Sequence, residues 1–186
     1  MAIFIIFNYA DVSAQSRGGE PVKLKVLNVG YNYSLAPQGN NTYGPGNMVD
    51  GNPATVWAVS LNNTAIYDYN SDGEPTWIWG PWFEVPCKKL SHIIIRNGYG
   101  KNTTAYVNNS RASYICIETE GDGELGGFEA ILKDDPAPQR LNAPLNADWN
   151  YNINIIQIAF ESDGGIIEGQ KWNDLCISEI EFWGWK

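Results

Sequence analysis

The stretch NMVDGNPATVW, residues 47–57, decides how the rest of the chain is interpreted. Asp-Gly-Asn-Pro is a turn signal, because Gly and Pro favour the backbone angles that a tight reversal needs. The oxygen-bearing side chains of Asp50, Asn52 and Thr55 crowd into the same short segment. They can cap the turn's own amides, or they can converge on a cation. Spacing alone favours the plain turn, and both interpretations stay open at this point.

Segments of alternating apolar and polar residues surround this turn, with the period of a half-buried β-strand. Gly80-Pro81 interrupts one of them and predicts a bulge or an edge strand. Turn signals separate the segments, and none predicts a helix longer than about two turns. The sequence therefore predicts an all-β sandwich of two antiparallel sheets, with its first and last strands close together. The predicted strands are VKLKVLNV, TWIWGPWFEV, LSHIIIRN, RASYICIETE, FEAILKD, NYNINIIQIAFE and CISEIEFWG.

The composition restricts the class of partner. The chain carries a formal net charge of −9 and no cluster of Lys or Arg. Binding through phosphates needs a basic face, so we expect neither nucleic acid nor an anionic membrane as a partner. Aromatic residues make up 13% of the 186 residues, with 8 Trp and 10 Tyr. An acidic, aromatic-rich surface suits a neutral ligand such as a sugar, and the length suits one domain.

Residues 1–21 are predicted to be a signal peptide with a flexible lead-in, and residues 22–186 to be the domain. AIFIIF is a short apolar run, and the small residues Val12-Ser13-Ala14 follow it as at a secretory cleavage site. The run is too short to span a bilayer. The alternative is an apolar first strand of the fold. We expect an exported protein, periplasmic, cell-surface or secreted, without membrane insertion.

Cysteine and histidine usage argues against a zinc site or a catalytic centre. Cys87, Cys116 and Cys176 are too widely spaced for zinc, and they allow one disulfide or three free thiols. His92 is the only histidine and lies in an apolar segment, where a general base would lack a partner. No GxSxG, HExxH or P-loop motif occurs. We expect a non-catalytic protein, and a cell-envelope hydrolase is the least favoured alternative.

DGNPATVW, followed by an aromatic sheet and ending in ISEIEF, resembles the galactose-binding-like jelly roll of factor V/VIII type C (discoidin-type) domains. Carbohydrate-binding modules share that fold. The resemblance implies a short helical turn at residues 46–49 before the loop. It also implies a structural calcium, held by the loop and by a Glu on the last strand. The implied metal ligands are Asn47, through a backbone carbonyl near it, and Asp50, Asn52, Thr55 and Glu179.

Two further segments resemble one branch of that family, the glycan-binding discoidin-like domain associated with translocation of a bacterial NAD glycohydrolase. They are NGYGKN with NSR, within residues 97–111, and KWNDLCISEIEFWG at residues 171–184. The resemblance covers roughly residues 22–185. It implies a carbohydrate-binding module, and the main alternative is a protein-interaction or adhesion module of the same fold.

The resemblance places the ligand on loops at one rim of the sandwich, where a sugar stacks on aromatic rings and bonds to polar groups. Tyr67 or Tyr69 is expected to close the rim. The alternative is structural: Asn97-Gly98 as a turn, Tyr99 packed on the sheet edge and Arg111 paired with a carboxylate. The implied ligand-binding residues are Tyr43, Asn97, Tyr99, Lys101, Asn102 and Arg111.

The tryptophans are expected to divide between core and surface. Trp57 follows the turn at a position that belongs to the core in the domains that this chain resembles. Trp77 and Trp79 share one face of a predicted strand, and one of them is expected to be exposed.

Overall fold

The computed structural model describes residues 19–31, 33–144 and 151–186. The predicted signal peptide lies in residues 1–18, outside the described residues. Within those ranges there is one α-helix, α1 (Thr103–Asn108), and two 3-10 helices, Pro45–Met48 and Thr64–Ile66. The strands are β1 (Val22–Lys23), β2 (Asn28–Gly30), β3 (Trp57–Ser60), β4 (Tyr67–Tyr69), β5 (Pro75–Cys87), β6 (Lys89–Asn97), β7 (Arg111–Ala112), β8 (Tyr114–Gly121), β9 (Glu124–Ile131), β10 (Gln139–Asn142), β11 (Ile153–Glu161), β12 (Ile166–Ile167) and β13 (Asp174–Trp185).

Two antiparallel sheets form the predicted sandwich. The first has the strand order β1-β13-β6-β10, and β3 also pairs with β13. The second has the order β2-β5-β11-β8-β9, and β4 also pairs with β5. A separate short pair joins β12 to β7. The first and last strands are neighbours, with Val22 opposite Gly184, which confirms that expectation.

Alternating side chains from the two sheets meet in one apolar core. Ile115 and Ile117 of β8 are fully buried, as the period of two predicts. Trp57 of β3 is 1% exposed and stacks on Phe160 of β11, with 6.0 Å between ring centroids. Trp57 therefore links the two sheets across the core, and its predicted structural role is confirmed.

One predicted strand is wrong as a single element. VKLKVLNV, residues 22–29, is divided into β1 and β2, because the chain changes sheet between them. The amide of Leu24 donates to the backbone oxygen of Phe182 on β13, whereas the amide of Leu27 donates to that of Glu84 on β5. A period of two continues through such a crossing, so the sequence pattern does not reveal it.

Gly80-Pro81 forms the predicted bulge in β5. Trp79 pairs with Ala159 and Trp82 pairs with Gln157, so two residues of β5 lie opposite one residue of β11. A side chain at Gly80 would lie 2.9 Å from the backbone oxygen of Ile158. The extra residue shifts the alternation by one, and Trp82 therefore shares the outer face of the sheet with Trp77 and Trp79. All three rings are half-buried.

The cysteines and the histidine have structural environments. Cys87, Cys116 and Cys176 are free thiols, and burial raises the pKa of Cys87 and of Cys116 to about 11. His92 is buried and stacks on Trp183, with 5.5 Å between ring centroids. Burial lowers the pKa of His92. Within the described part of the chain, no helix has the length and apolarity to cross a membrane.

Candidate functional site

The opening motif folds as a turn held by its own polar groups. The Asp50 carboxylate accepts from the Asn52 amide at 2.7 Å and from the Thr55 hydroxyl at 2.8 Å. The Asn52 side-chain oxygen accepts from the amide of Ala54 at 3.1 Å. Gly51 has φ of 76°, a left-handed angle that favours glycine. The plain-turn interpretation therefore accounts for the local geometry of the loop.

The turn lies beside Glu179, far along the chain on β13. β3 pairs with β13 only as far as Ile177, and β1 pairs with it only from Trp183. Glu179 lies in the interval between these pairings, and it borders the same cleft as Gly51. Burial and the charge of Asp50 raise the pKa of Glu179 to about 7. The structure thus brings two carboxyl groups together, one from the loop and one from the last strand.

The carboxyl groups of Asp50 and Glu179 (the acidic pair) have a feature expected of a cation site, a buried carboxylate oxygen without a hydrogen-bond donor. The Glu179 Oε1 atom is buried and accepts no hydrogen bond from the described residues. Such an atom is costly unless it is paired, and a cation beside Asp50 would pair it. The described residues contain no group of three or more His, Cys, Asp or Glu side chains suited to a metal. The remaining ligands must therefore be carbonyl, hydroxyl or water oxygens, which calcium accepts.

Asn47 enters this set only through its backbone. Its side-chain amide donates to the backbone oxygens of Thr42 and Val56, at 2.7 and 2.9 Å. These bonds close the base of the loop and place the 3-10 helix against β3. The side chain is therefore structural, and the nearby backbone carbonyl is the atom that the resemblance implied.

In the rim loop, Asn97 is placed in the interior and not at a binding surface. It is fully buried, and its side chain donates to the backbone oxygen of Ala112 at 2.6 Å. The same side chain accepts from the Ala112 amide at 3.1 Å. The Asn97 side chain thus makes the two hydrogen bonds to the Ala112 backbone that a neighbouring strand would otherwise make. We therefore remove Asn97 from the expected ligand set.

Arg111 is likewise buried, and its guanidinium bonds to other parts of the chain. It is 6% exposed, and its Nε and Nη2 atoms donate to the two oxygens of Asp134 at 2.7 and 2.9 Å. Its Nη1 atom donates to the backbone oxygens of Tyr106 and Asn109. The Arg111 guanidinium lowers the pKa of Asp134. All three nitrogens have partners, so Arg111 is also removed from the ligand set.

None of the other expected rim residues lines the same cavity as Tyr43 and Tyr99. The Asn102 side chain caps α1, because its oxygen accepts a hydrogen bond from the backbone amide of Ala105 in the first turn at 2.8 Å. Lys101 is exposed on the surface. The hydroxyls of Tyr67 and Tyr69 donate to backbone oxygens of the segment before β4. Tyr67 and Tyr69 therefore hold the segment before β4 in place.

Tyr43 and Tyr99, in contrast, line one groove of about 180 Å³. The groove lies on the outer face of the first sheet, since Trp57 and Val59 point into the core and Ala58, between them, lines the groove. Trp172 forms the third aromatic wall. The remaining lining residues are Leu35 and Cys176, which are apolar, and Gln38, Asn109 and Asp174, which are polar.

The loop that carries Tyr99 is fixed to β13. The Ser178 hydroxyl donates to the backbone oxygen of Gly98 at 2.7 Å and accepts from the amide of Gly100 at 2.6 Å. The Gly98 amide donates to the backbone oxygen of Cys176 at 2.9 Å. Tyr99 is therefore held between two anchored glycines, and its ring packs against the cluster that contains Tyr43.

The groove combines aromatic walls with a few polar groups. Trp172 is 44% exposed, and the Lys171 ammonium lies 4.5 Å from its ring centroid. The Tyr43 hydroxyl donates to Gln38 at 3.3 Å, and burial raises the pKa of Asp174. Aromatic faces beside a small number of amides and carboxylates are typical of sugar sites.

Sequence reasoning missed every polar or aromatic residue of the groove except the two tyrosines, namely Gln38, Asn109, Trp172 and Asp174. Trp172 and Asp174 lie in KWNDLC, a segment interpreted above only as support for the family resemblance. The available signal was a Trp two residues before the last strand. Nothing local in the sequence indicates that Gln38 and Asn109 meet there, because loops distant in sequence build the groove.

The antiparallel sandwich, with the Asp50 turn beside Glu179, defines a domain of the F5/8 type C class. More specifically, the model of the NAD glycohydrolase translocation F5/8 type C domain matches residues 23–183. The chain therefore belongs to this family.

Solved structures agree with this fold. The family 32 carbohydrate-binding module of C. perfringens NanJ in complex with galactose is 14% identical, with a TM-score of 0.50, and the match covers 87% of this chain and 99% of that one. The GH31 CBM32-2 structure bound to GalNAc is 17% identical, with a TM-score of 0.50, and the match covers 88% and 98%. Among curated proteins, no match was found. These similarities establish the galactose-binding-like jelly roll.

Proposed function

We propose that this protein is an exported, non-catalytic module that binds a glycan in the groove between Tyr43, Tyr99 and Trp172. The observation that carries the proposal is the aromatic groove itself, with its amides and one carboxylate. A sugar ring offers an apolar C–H face to an aromatic ring and hydroxyls to polar groups. Tyr99 and Trp172 would make the first contact and Gln38 and Asp174 the second, while the side-chain nitrogen of Asn109 already donates to the backbone oxygen of Ala105.

The proposed ligand class is a neutral hexose at the end of a glycan. The titles of the two similar structures name galactose and GalNAc as their ligands. The net charge of −9 and the carboxylate of Asp174 disfavour a polyanionic glycan. The burial of His92 beneath Trp183 withdraws the chain's single histidine from solvent, and this supports a non-catalytic role.

Substitution of the exposed Trp172 or of the half-buried Tyr99 is expected to weaken binding. Trp172→Ala and Tyr99→Ala each remove a stacking surface, and we expect about a tenfold or larger loss of affinity, equivalent to about 1.4 kcal/mol. A glycan array that includes galactose and N-acetylgalactosamine selects the sugar, and calorimetry measures the affinity.

The matched control is Tyr31→Ala, since Tyr31 is a 48% exposed aromatic residue that does not line the groove. This variant is expected to bind as the wild type does. Absence of binding to every glycan on the array would refute the function. Equal affinity in the wild type, Trp172→Ala and Tyr99→Ala would refute the location.

We further propose that calcium binds between the opening turn and β13. Asp50 and Glu179 would supply carboxylate oxygens, and Asn52, Thr55 and the carbonyl near Asn47 would supply the neutral oxygens. The ion would neutralise two adjacent acids and attach the loop to the last strand. The orphaned Oε1 atom of Glu179 supports this role. The proposed role of the ion is structural, because the turn lies outside the groove.

A further inference from the structure

The second sheet presents an aromatic and acidic outer face. The bulge in β5 puts Trp77, Trp79 and Trp82 on that face, as described above. Tyr114 of β8 joins them, since its ring centroid lies 6.3 Å from that of Trp77. The groove lies on the opposite side of the molecule, outside the first sheet. This face is therefore a separate surface from the proposed sugar site.

Negative charge is concentrated on the same face. The alternation of each strand points six carboxylates outward, and none of the outward-facing positions on these strands is Lys or Arg. Like charges on neighbouring strands repel one another, and the face contributes much of the net charge of −9. We call this surface the acidic face, defined by Asp68, Glu84, Glu118, Glu120, Glu129 and Glu161 together with the three tryptophans.

A trough crosses the middle of the acidic face. Trp79 pairs with Ala159, Ala159 with Cys116, and Cys116 with Glu129, so small side chains separate an aromatic ring from a carboxylate. Gly127 lies opposite Glu118, and a side chain there would lie 2.3 Å from a backbone oxygen of β8. Two shallow cavities, of about 260 and 380 Å³, border Glu118 in this region.

Aliphatic side chains form the rim of the trough on β9. Leu125 is 80% exposed and Ile131 is 77% exposed. Sugars stack on aromatic rings, whereas exposed Leu and Ile side chains are suited to the apolar side chains of another protein. Aliphatic residues beside a cluster of carboxylates therefore favour a protein partner over a glycan at this face.

We propose that the acidic face docks a basic segment of a partner protein. Arg or Lys side chains of that segment would lie in the trough, between the carboxylates and the exposed edges of the tryptophans. Such a cation gains charge pairing with Glu118 and Glu120 and a cation–π contact with Trp79 or Trp82. It also relieves the repulsion among the carboxylates of the face. The occupant is identified by charge complementarity and by the aliphatic rim.

Selection from a phage-displayed library of random twelve-residue peptides tests this proposal on the full chain. We expect the enriched peptides to be rich in Arg and Lys. A synthetic enriched peptide should bind at least tenfold more weakly to the triple variant Glu118→Gln/Glu120→Gln/Glu161→Gln. Its affinity should also fall when sodium chloride is raised from 0.05 to 0.3 M, because salt screens exposed charges.

The control variant is Glu20→Gln/Asp135→Asn/Glu168→Gln, which removes the same number of carboxylates at exposed positions outside the strands of the acidic face. It should bind the peptide as the wild type does, and so should Tyr99→Ala, whose change lies in the groove. Enriched peptides without basic residues would overturn the proposal, and so would equal loss of affinity in both triple variants. Displacement of the peptide by a glucosamine oligomer at lower concentration than by free peptide would assign the face to a cationic sugar and overturn it too.

Discussion

The substitution Glu179→Gln is expected to raise stability in the absence of calcium at pH 8 and to lower it in saturating calcium. Without the ion, Gln removes a half-buried charge that lies beside Asp50 and accepts no hydrogen bond at its buried Oε1 atom from the described residues. With the ion, Gln removes a ligand. At a calcium concentration a hundredfold above the dissociation constant, the wild type gains about 2.7 kcal/mol in free energy of unfolding. The variant is expected to lose most of that gain.

The pH dependence of the free energy of unfolding follows from the carboxyl group of Glu179. The pKa of Glu179 is raised from 4.5 to about 7 in the folded protein, so the folded state retains a proton that the unfolded state releases. In the calcium-free protein, the protonated Glu179 therefore stabilises the folded state. This stabilisation is fully present below pH 4.5 and is lost as the pH rises through about 7. Calcium competes with that proton, so the stabilisation by calcium is expected to grow between pH 5 and 8.

Thermal melting with calcium or with a chelator, at pH 5 and at pH 8, measures both effects. Asp122→Asn is a suitable control, because Asp122 lies in the turn between β8 and β9, away from the acidic pair. An unchanged melt at saturating calcium would count against the site. Destabilisation by Glu179→Gln in the presence of chelator would instead show that direct hydrogen bonds of Glu179 hold the loop.

The substitution Trp57→Ala is expected to lower the free energy of unfolding by about 3–5 kcal/mol. Trp57 is 1% exposed, stacks on Phe160 of the opposite sheet, and donates its indole N–H to the backbone oxygen of Tyr33 at 3.2 Å. Its removal leaves a cavity between the sheets and an unpaired carbonyl. Urea denaturation measures the loss.

Trp172→Ala is the matched control for Trp57→Ala, since the same side chain is removed from an exposed position. We expect its stability to change by less than about 1 kcal/mol. If both variants unfold at similar urea concentrations, Trp57 does not bridge the core as described.

The fold was largely predictable because most strands have one buried face. In β8 the alternation puts Ile115 and Ile117 on one face, in β11 it puts Ile158 and Phe160 on one face, and all four residues are fully buried. The division of residues 22–29 between two sheets was not predictable. Both sheets bury alternate residues, so the local pattern is the same on either side of the crossing. Only the folded structure shows that Leu24 bonds to Phe182 in one sheet and Leu27 to Glu84 in the other.

The candidate site was predictable only in part. The family resemblance implied that Asp50 lies near Glu179 and Tyr43 near Tyr99, and the structure brings each pair together. Asn97 was expected at the surface, because amides are common sugar ligands. Its amide instead satisfies the backbone of Ala112 in the interior. Which polar side chain faces outward depends on which backbone groups lack a partner, and a linear sequence does not reveal that.

The most direct test of the proposed sugar site is an NMR titration of the ¹⁵N-labelled protein with galactose and, separately, N-acetylgalactosamine. Each tryptophan contributes one indole N–H signal, which single Trp→Phe substitutions assign. The account predicts that the signal of Trp172 shifts and saturates while that of Trp57, in the core, stays in place. Movement confined to Trp77, Trp79 and Trp82, or no movement at all at millimolar sugar, would contradict it.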